Sequence, residues 1–394
     1  MTFLLPRPDT EIAVSRRHVL RLGVLLGAGG LLAACSPGAP TQPAASAPTV
    51  APQPTVAAQP TVAATSAPAV ASAPQSAGVT NAAASGTLTP VSLQFCYLKN
   101  VQFAGSYFAT TQGYYKNAGL DVTLLPGGPS VAPEPIVVAG KAVAGVTHTA
   151  EAVSAIINGA DLQIIGATFQ KNPTCIVSKA EKPIKTPTDL YGMKVGISDT
   201  NAPIWNSFVK ANQLDASRVN VVTVGFDVTS LASGEIDGLM AFAPNEPSIL
   251  KLQGVDTYTM LLSDFKYPLV EDVYVARASD LKDAAKMATL VGLMKAESFG
   301  WADVLKSPDT AVSLAVDNFG KDLKLDRAQQ QLDVVAQNDF LADADTKSHG
   351  LFWMTDDKVA GTVASLALGD VAATPEMFTN AVLAGVYKGG ATPS

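Results

Sequence analysis

From about residue 91 onward, the chain alternates short apolar runs with longer stretches whose apolar side chains recur at helical spacing. The short runs are rich in Val, Ile and Leu, a composition and length typical of buried strands. They predict strands at residues 91–97, 121–125, 143–147, 162–168, 175–178, 194–197, 219–224, 238–241 and 273–276. This alternation predicts an α/β fold in which helices pack on mostly parallel sheets.

The stretches between these strands, and most of the last third of the chain, are expected to be helical. The predicted helices cover residues 105–118, 150–157, 186–190, 201–212, 228–233, 245–253 and most of 279–383. The last block is rich in Ala and has the small-residue spacing of packed helices. Its aromatic side chains are therefore expected in the core: Trp301, Phe319, Phe340 and Phe378.

The amino terminus has a different pattern, with one apolar stretch at residues 22–34. Arg16 and Arg17 precede it closely, and Cys35 follows Leu32-Ala33-Ala34. The stretch is too short to span a bilayer as a helix. A twin arginine ahead of a short apolar run is typical of an export signal, and small residues before a cysteine are typical of a lipoprotein. We predict that residues 1–34 are a twin-arginine lipoprotein signal peptide, with an uncleaved membrane anchor as the alternative.

Cleavage at that point would leave Cys35 as a lipid anchor on the extracytoplasmic face of the cell membrane. Residues 35–90 then consist mainly of Ala, Pro, Thr, Ser and Val, and no charged residue occurs between Arg21 and Lys99. Such a segment buries too little apolar surface to offset its ordering entropy. It is predicted to be a disordered tether between the lipid and the folded body.

Composition and charge narrow the function classes. The formal net charge is −7 and no basic run follows the first twenty or so residues, so the chain lacks the electrostatic footprint of a nucleic-acid partner. The three histidines, His18, His148 and His349, are far apart in sequence and give little support to a metal site. If Cys35 carries lipid, Cys96 and Cys175 remain, either as a disulfide or as buried free thiols.

Several motifs occur in an order that resembles one family. The segment 91–97 is followed by Asn100 and Phe103, and then by QGYYKNAGLDV at 112–122. Further along, IKTPTDLYGMKVG at 184–196 and LASGEIDG at 231–238 precede the triplet Asn245-Glu246-Pro247. Together these motifs resemble the thiamine-pyrimidine-synthase-like (NMT1/THI5-like) periplasmic binding proteins over residues 91–276. Members bind thiamine pyrimidine precursors, alkylsulfonates, related heterocycles or riboflavin for ABC importers.

The resemblance implies a two-lobe periplasmic-binding-protein-like fold (type II) with ligand in the interlobe cleft. Lobe one would comprise residues 91–177 and 275–394, and lobe two residues 178–274, joined by crossing strands near 175–179 and 273–277. It also implies a monomer that hands its ligand to an ABC permease and ATPase. Catalysis and a cofactor are not expected, because the cysteine-rich motif of the fungal relatives that are enzymes is absent.

Candidate ligand contacts lie where predicted strands end, which is where open α/β sheets bind ligands. They are Tyr97, Asn100, Phe103, Thr147, His148, Thr149, Asn201, Trp205, Asn245 and Glu246. The Glu246 carboxylate can accept two N–H bonds from a heterocycle edge. Equally, a glutamate at a helix start complements the helix dipole, Tyr97 and Phe103 fit a core, and His148 fits an ordinary imidazole.

These candidates contain aromatic rings but no Lys or Arg, which favours a flat nitrogen heterocycle over a sulfonate. Where Tyr97 and Phe103 stand, many relatives have Trp and His. The more apolar surroundings favour riboflavin, whose ring system is larger, over a thiamine pyrimidine precursor. The alternative hypotheses from other functional classes are a sensory or structural lipoprotein and a thiamine-pyrimidine-synthase-like enzyme.

Overall fold

The structure, a computed structural model, describes residues 87–128, 131–225 and 227–394. Within these residues the chain forms ten strands, which are divided equally between two sheets. The strands are β1 (Thr89–Gln94), β2 (Leu120–Leu125), β3 (Ala144–Thr147), β4 (Gln163–Phe169), β5 (Thr174–Lys179), β6 (Lys194–Ile197), β7 (Asn220–Thr223), β8 (Gly238–Phe242), β9 (Thr257–Leu261) and β10 (Glu271–Ala276). The signal peptide, Cys35 and nearly all of the tether predicted above lie outside the described residues.

Helices connect the strands and make up the C-terminal part. They are α1 (Ala104–Thr111), α2 (Tyr114–Asn117), α3 (Pro133–Val138), α4 (Thr149–Ile157), α5 (Ala202–Asn212), α6 (Thr229–Ser233), α7 (Glu246–Leu252), α8 (Ala284–Lys306), α9 (Pro308–Ser313), α10 (Arg327–Leu341), α11 (Ala344–His349), α12 (Asp356–Leu368) and α13 (Ala381–Tyr387). A π-helical segment, Leu314–Phe319, follows α9.

Each sheet is mixed, with half of its strand pairs parallel and half antiparallel. The first sheet has the order β2-β1-β3-β10-β4 and the second β7-β6-β8-β5-β9. β10 runs antiparallel to both of its neighbours, and so does β5. The prediction of mostly parallel sheets is therefore wrong for these two strands. They run in the opposite direction because each one enters its sheet from the other sheet.

This topology fixes which edges of the sheets face each other. In each sheet the four strands that run in one direction end at one edge, and β10 or β5 begins at that same edge. Residues 170–173 connect β4 to β5, and residues 262–270 connect β9 to β10. An extended residue spans at most about 3.6 Å, so the first connection keeps the two edges close together. The chain is thus a two-lobe α/β fold with two crossing segments, as predicted.

Both crossings occur slightly earlier in the chain than the sequence indicated. Residues 174–177 were predicted in lobe one, but β5 pairs entirely within the second sheet. Residues 271–274 were predicted in lobe two, but β10 pairs entirely within the first sheet. The predicted apolar segments are the strands on either side of the crossings, whereas the crossings themselves contain polar residues such as Lys171 and Asp264, whose charged groups lie 2.7 Å apart.

The C-terminal helices pack mainly on the first lobe. α8 packs against α1, and α10 is tied to the first lobe by a hydrogen bond from the Gln170 N–H to the Phe340 carbonyl, 2.8 Å long. α12 is an exception, because it packs on α5 of the second lobe, and Lys210 pairs with Asp370 just beyond its end. Residues 275–394 are therefore not confined to lobe one.

Local differences from the predicted elements have identifiable causes. The predicted helix at 105–118 is interrupted at Gly113, which has φ +74°. The strand β9 and the helix α3 were not predicted, and β9 alternates Thr and Tyr with few aliphatic residues. Cys96 and Cys175 are buried free thiols in different lobes. Among the described residues, no helix is both long and apolar enough to cross a bilayer.

Candidate functional site

The edge of the first sheet that faces the second lobe carries a compact polar cluster, which we call the first-lobe edge cluster: His148, Glu271 and Asp272. His148 follows β3 directly, and the two carboxylates stand at the start of β10, the neighbouring antiparallel strand. His148 Nδ1 lies 2.9 Å from Glu271 Oε1 and 3.5 Å from Asp272 Oδ1. Because β10 runs antiparallel to β3, its first two residues place two carboxylates next to the histidine.

The threonines on either side of His148 are anchors and do not face open space. Thr147 is buried and donates its hydroxyl to the Glu134 carboxylate. Thr149, the first residue of α4, is also buried and donates to the Val270 carbonyl oxygen at 2.6 Å. Both were predicted as ligand contacts. In the structure their hydroxyls are engaged in these two hydrogen bonds, which hold the backbone on either side of His148 in place.

The environment of the cluster is strongly acidic. Loss of hydration acts to lower the pKa of His148, but the carboxylates of Asp272 and Glu271 outweigh this and raise the pKa well above its usual value. Burial raises the pKa of Glu271, although its contact with His148 opposes that change. Among the ion pairs of the described residues, neither acid pairs with a Lys or an Arg.

Asp272 is held in an unusual conformation. Its φ is +50°, in the left-handed region that residues other than glycine seldom adopt. Its Oδ2 accepts a 2.7 Å hydrogen bond from Gln102 Nε2, whereas its Oδ1 is buried without a hydrogen-bond partner in the described structure. Strained backbone of this kind tends to occur at functional sites.

Tyr97 and Asn100 follow β1 at the same edge. Tyr97 is 42% exposed, so its ring is accessible. The backbone there is packed tightly against Gly127, where an added Cβ would lie 2.3 Å from the Phe95 carbonyl oxygen. Asn100 caps the following 3₁₀ helix, because its Oδ1 accepts from the Gln102 N–H at 3.0 Å. Of these two predicted contacts, Tyr97 has an exposed side chain, whereas the side-chain oxygen of Asn100 is engaged in the cap.

Two other predicted ligand contacts belong to the core. Phe103 is 2% exposed and stacks on Phe95 with ring centroids 4.1 Å apart. Trp205 is 5% exposed and packs near Phe208, 6.3 Å between ring centroids. Both rings occupy the inner faces of helical segments, where an apolar side chain packs against its own lobe. They therefore leave the candidate set.

The second lobe contributes Asn201, Asn245 and Glu246 at its facing edge. Asn201 is half-buried and lies between β6 and α5. Glu246, the first residue of α7, is buried, and its Oε2 accepts from the Phe242 N–H at 2.8 Å. Its Oε1 accepts from Asn245 Nδ2 at 3.1 Å. Burial raises the pKa of Glu246, although these hydrogen bonds oppose the change.

A further carboxylate, Asp333 on α10, lies near Glu246 and was not predicted. Burial raises the pKa of Asp333 to about 7; hydrogen bonds from Ser248 and Gln329 oppose the change, and repulsion from Glu246 adds to it. Gln330 connects it to the first lobe, because Gln330 Nε2 donates to Asp333 Oδ2 and Gln330 Oε1 accepts from the Val101 N–H, each at 3.0 Å. Glu246 and Asp333 therefore bring two acids together where the lobes meet.

Sequence reasoning missed the residues that complete both acidic groups: Gln102, Glu271, Asp272, Gln329 and Asp333. Glu271 and Asp272 form an acidic doublet directly before an apolar run, a signal that was available. Asp333 lies on an amphipathic helix far away in the sequence, where nothing marks it as functional.

Two surface pockets lie elsewhere. One, of about 480 Å³, is lined by residues of α12 and by Pro375, Phe378 and Asn380. The other, of about 380 Å³, lies between α5 and Asp370. Neither contains a residue of the facing edges, so neither coincides with the predicted ligand site.

Comparisons with known proteins agree with this architecture. The family model described as NMT1/THI5 like matches residues 100–311. The riboflavin-binding protein RibY of Chloroflexus aurantiacus is 26% identical over 244 residues, which cover 59% of this chain and 67% of RibY. The formylaminopyrimidine-binding protein of Halalkalibacterium halodurans is 24% identical over 248 residues, which cover 61% of this chain and 74% of that protein.

Solved structures share the fold at low sequence identity. The periplasmic aliphatic sulphonate binding protein SsuA of Escherichia coli matches with a TM-score of 0.55 and 16% identity, covering 72% of this chain and 86% of SsuA. The desulfurization enzyme DSZB matches with a TM-score of 0.50 and 14% identity, covering 74% of this chain and 97% of DSZB. The fold is therefore that of the periplasmic binding proteins, and an enzyme shares it.

Proposed function

This chain belongs to the NMT1/THI5-like family, and from that premise we propose that it is the substrate-binding lipoprotein of an ABC importer, with riboflavin as the favoured ligand. It would capture the heterocycle by closing its lobes and deliver it to a permease driven by an ATPase. One observation supports this proposal most directly. The two sheets face each other edge to edge, two crossing segments join them, and both edges carry polar side chains. Hinge closure around a ligand is the motion that such crossings permit.

The charges at the two edges support a hydrogen-bond donor as the ligand. Glu271, Asp272, Glu246 and Asp333 are all carboxylates at or near these edges. An anionic sulfonate would be repelled there, whereas ring N–H groups and hydroxyls can donate to carboxylates. Riboflavin is uncharged at neutral pH and supplies one ring N–H and several ribityl hydroxyls. A thiamine pyrimidine precursor, which supplies an amino group, is the second candidate.

Tyr97 is the residue best placed to contact the ring system of the ligand. Its side chain is exposed at the first-lobe edge, and offset stacking on an aromatic ring contributes about 0.5 to 1.5 kcal/mol beyond area burial. Glu246 would orient the ligand from the second lobe, with Asn245 as a supporting donor. Asn201 and His148 complete the proposed set of contacts.

The sequence relatives support capture rather than catalysis, because RibY and the formylaminopyrimidine-binding protein are both named as binding proteins. Attachment to the membrane through Cys35 belongs to the same proposal and rests on the sequence motif at residues 32–35. A purified chain that returns riboflavin chemically unaltered, as judged by mass spectrometry, supports passive capture.

Binding can be tested by titrating the full-length protein into riboflavin and following the quenching of flavin fluorescence. We expect one riboflavin per chain, and weaker binding by Tyr97→Ala. Tyr258→Ala is the matched control, because Tyr258 is similarly exposed but lies on β9, whose first residues are remote from the facing edges. An aminopyrimidine precursor and an alkylsulfonate are titrated by calorimetry in parallel. Binding of the alkylsulfonate alone would overturn the proposal.

A further inference from the structure

The first-lobe edge cluster has the geometry of an incomplete metal site. The candidate ligand atoms of His148, Glu271 and Asp272 all lie within 4.8 Å of one another. Two of the separations are 2.9 Å and 3.5 Å, both measured from His148 Nδ1. In a tetrahedral site with metal–ligand bonds of about 2.1 Å, ligand atoms lie about 3.4 Å apart. Small side-chain rotations would therefore bring all three atoms onto one ion.

The negative charge of the cluster also favours binding of a cation. Glu271 and Asp272 are adjacent in sequence and both are buried. Burial of a carboxylate is costly unless it is paired and hydrogen-bonded, and among the described ion pairs His148 is the sole cationic partner of both.

An independent observation is the state of Asp272 Oδ1. The Asp272 side chain is 1% exposed, and this oxygen has no hydrogen-bond donor in the described structure. The nearest cationic atom is His148 Nδ1, so the free oxygen points into the cluster. A buried acceptor without a donor destabilises the folded state, and a bound cation would remove that cost.

We propose that His148, Glu271 and Asp272 bind a divalent transition-metal ion of the zinc class at the first-lobe edge. One imidazole nitrogen with carboxylate oxygens suits Zn²⁺ and its neighbours, whereas Mg²⁺ and Ca²⁺ prefer ligand sets made of oxygen alone. The His148 side chain is 44% exposed, so one side of the site is open. Zinc sites that also bind small molecules keep such an open position.

Neighbouring groups already orient the proposed ligands. Gln102 Nε2 donates to Asp272 Oδ2, the oxygen that is not needed for the ion. Thr149 fixes the backbone next to His148 by its bond to Val270. Hydrogen-bonding partners of this kind set the orientation of metal ligands and typically change metal affinity by about 10- to 100-fold when they are removed.

The test uses the full-length protein after treatment with EDTA and dialysis, titrated with Zn²⁺ alone by calorimetry at fixed pH. We expect one ion per chain. His148→Ala and Asp272→Asn should each weaken Zn²⁺ binding by at least about tenfold. Asparagine tolerates the positive φ at position 272 and still accepts from Gln102, so the second variant changes little except charge. Glu271→Gln is a third variant in case either of these unfolds.

His349→Ala is the matched control, because His349 stacks on Trp353, 5.4 Å between ring centroids, outside the cluster. It should bind Zn²⁺ like the wild type. Absence of stoichiometric Zn²⁺ binding, or equal binding by the wild type and the cluster variants, would overturn the metal site. So would Mg²⁺ that competes with Zn²⁺ at equal concentration. No heterocycle is present in this titration, so its failure leaves the proposed riboflavin binding untouched.

Discussion

Gln329 Nε2 donates a 3.0 Å hydrogen bond to Asn245 Oδ1 and thereby joins α10, which packs on the first lobe, to the start of α7 in the second. Asn245 in turn donates to Glu246 Oε1. One asparagine therefore connects an interlobe hydrogen bond to the carboxylate that was predicted to orient the ligand. The relative position of the two lobes and the position of Glu246 are coupled through this side chain.

Removal of this interlobe hydrogen bond should reduce stability measurably. Gln329→Ala leaves Asn245 Oδ1 without its donor, so we expect the free energy of unfolding to fall by about 1 kcal/mol in urea denaturation. Gln331→Ala is the control, because Gln331 lies on the same helix and bonds to exposed Asp309. It should change the free energy of unfolding by less than about 0.5 kcal/mol. Equal effects of the two variants would contradict the coupling described above.

Asp333 should make stability depend on pH near neutrality. Burial raises its pKa from the ordinary aspartate value of 3.8 to about 7. The folded state then binds a proton more tightly at Asp333 than the unfolded state does, so the contribution of Asp333 to stability is greatest below about pH 4 and is lost as pH rises from about 4 to 7. The loss attributable to Asp333 is on the order of 4 kcal/mol.

The variant Asp333→Asn should remove this contribution, so that its free energy of unfolding exceeds that of the wild type by more at pH 8 than at pH 5. Asp339→Asn, an exposed site on the same helix, is the control and should track the wild type at both pH values. A difference between wild type and Asp333→Asn that stays constant over this range would show that Asp333 does not titrate there.

Much of the fold could be predicted because local apolar runs report buried strands directly. The prediction at residues 194–197 coincides with β6, and most other strands were found within one or two residues. The exception, β9, is an edge strand whose alternating Thr and Tyr residues give a weak apolar signal. Strand direction was harder to predict, since β5 and β10 are reversed by crossings that no local pattern reports.

The same limit explains which site residues were found. His148 was predicted because it follows a strand, and strand ends carry ligands in parallel sheets. Asp272 was missed because it stands at the start of a strand, and the start of a strand lies at this edge only when the strand enters from the other lobe. Phe103 was predicted as a ligand contact because it follows the first strand, with a core ring as the alternative, and the structure stacks it on Phe95 with 2% of it exposed.

The buried carboxylate of Glu297 should be a major determinant of first-lobe stability. It accepts hydrogen bonds from Ser106 and Tyr274, each at 2.8 Å, and from Tyr115. Glu297→Leu would leave these buried hydroxyls without their acceptor, so we expect a loss of about 3 kcal/mol in unfolding free energy. Glu297→Gln keeps one acceptor oxygen and should lose clearly less. If the leucine variant were as stable as the wild type, the network would not contribute to stability.

Glu246 offers the sharpest test of how the ligand is oriented. Glu246→Gln keeps an oxygen for the Phe242 N–H but removes the negative charge and one acceptor, so the fold should persist while donors on the ligand lose their partner. We expect riboflavin to bind more than about tenfold more weakly, equivalent to about 1.4 kcal/mol. Flavin fluorescence gives the Kd, and a thermal melt checks that the fold is intact.

Glu235→Gln is the matched control for this experiment, because Glu235 lies in the same lobe with its side chain 69% exposed and faces Lys194 at 4.0 Å. It should bind riboflavin with the wild-type Kd. If Glu246→Gln also retained the wild-type Kd, Glu246 would be a structural residue that caps α7 and the end of β8. The ligand would then depend on Tyr97 and the first-lobe edge for its orientation.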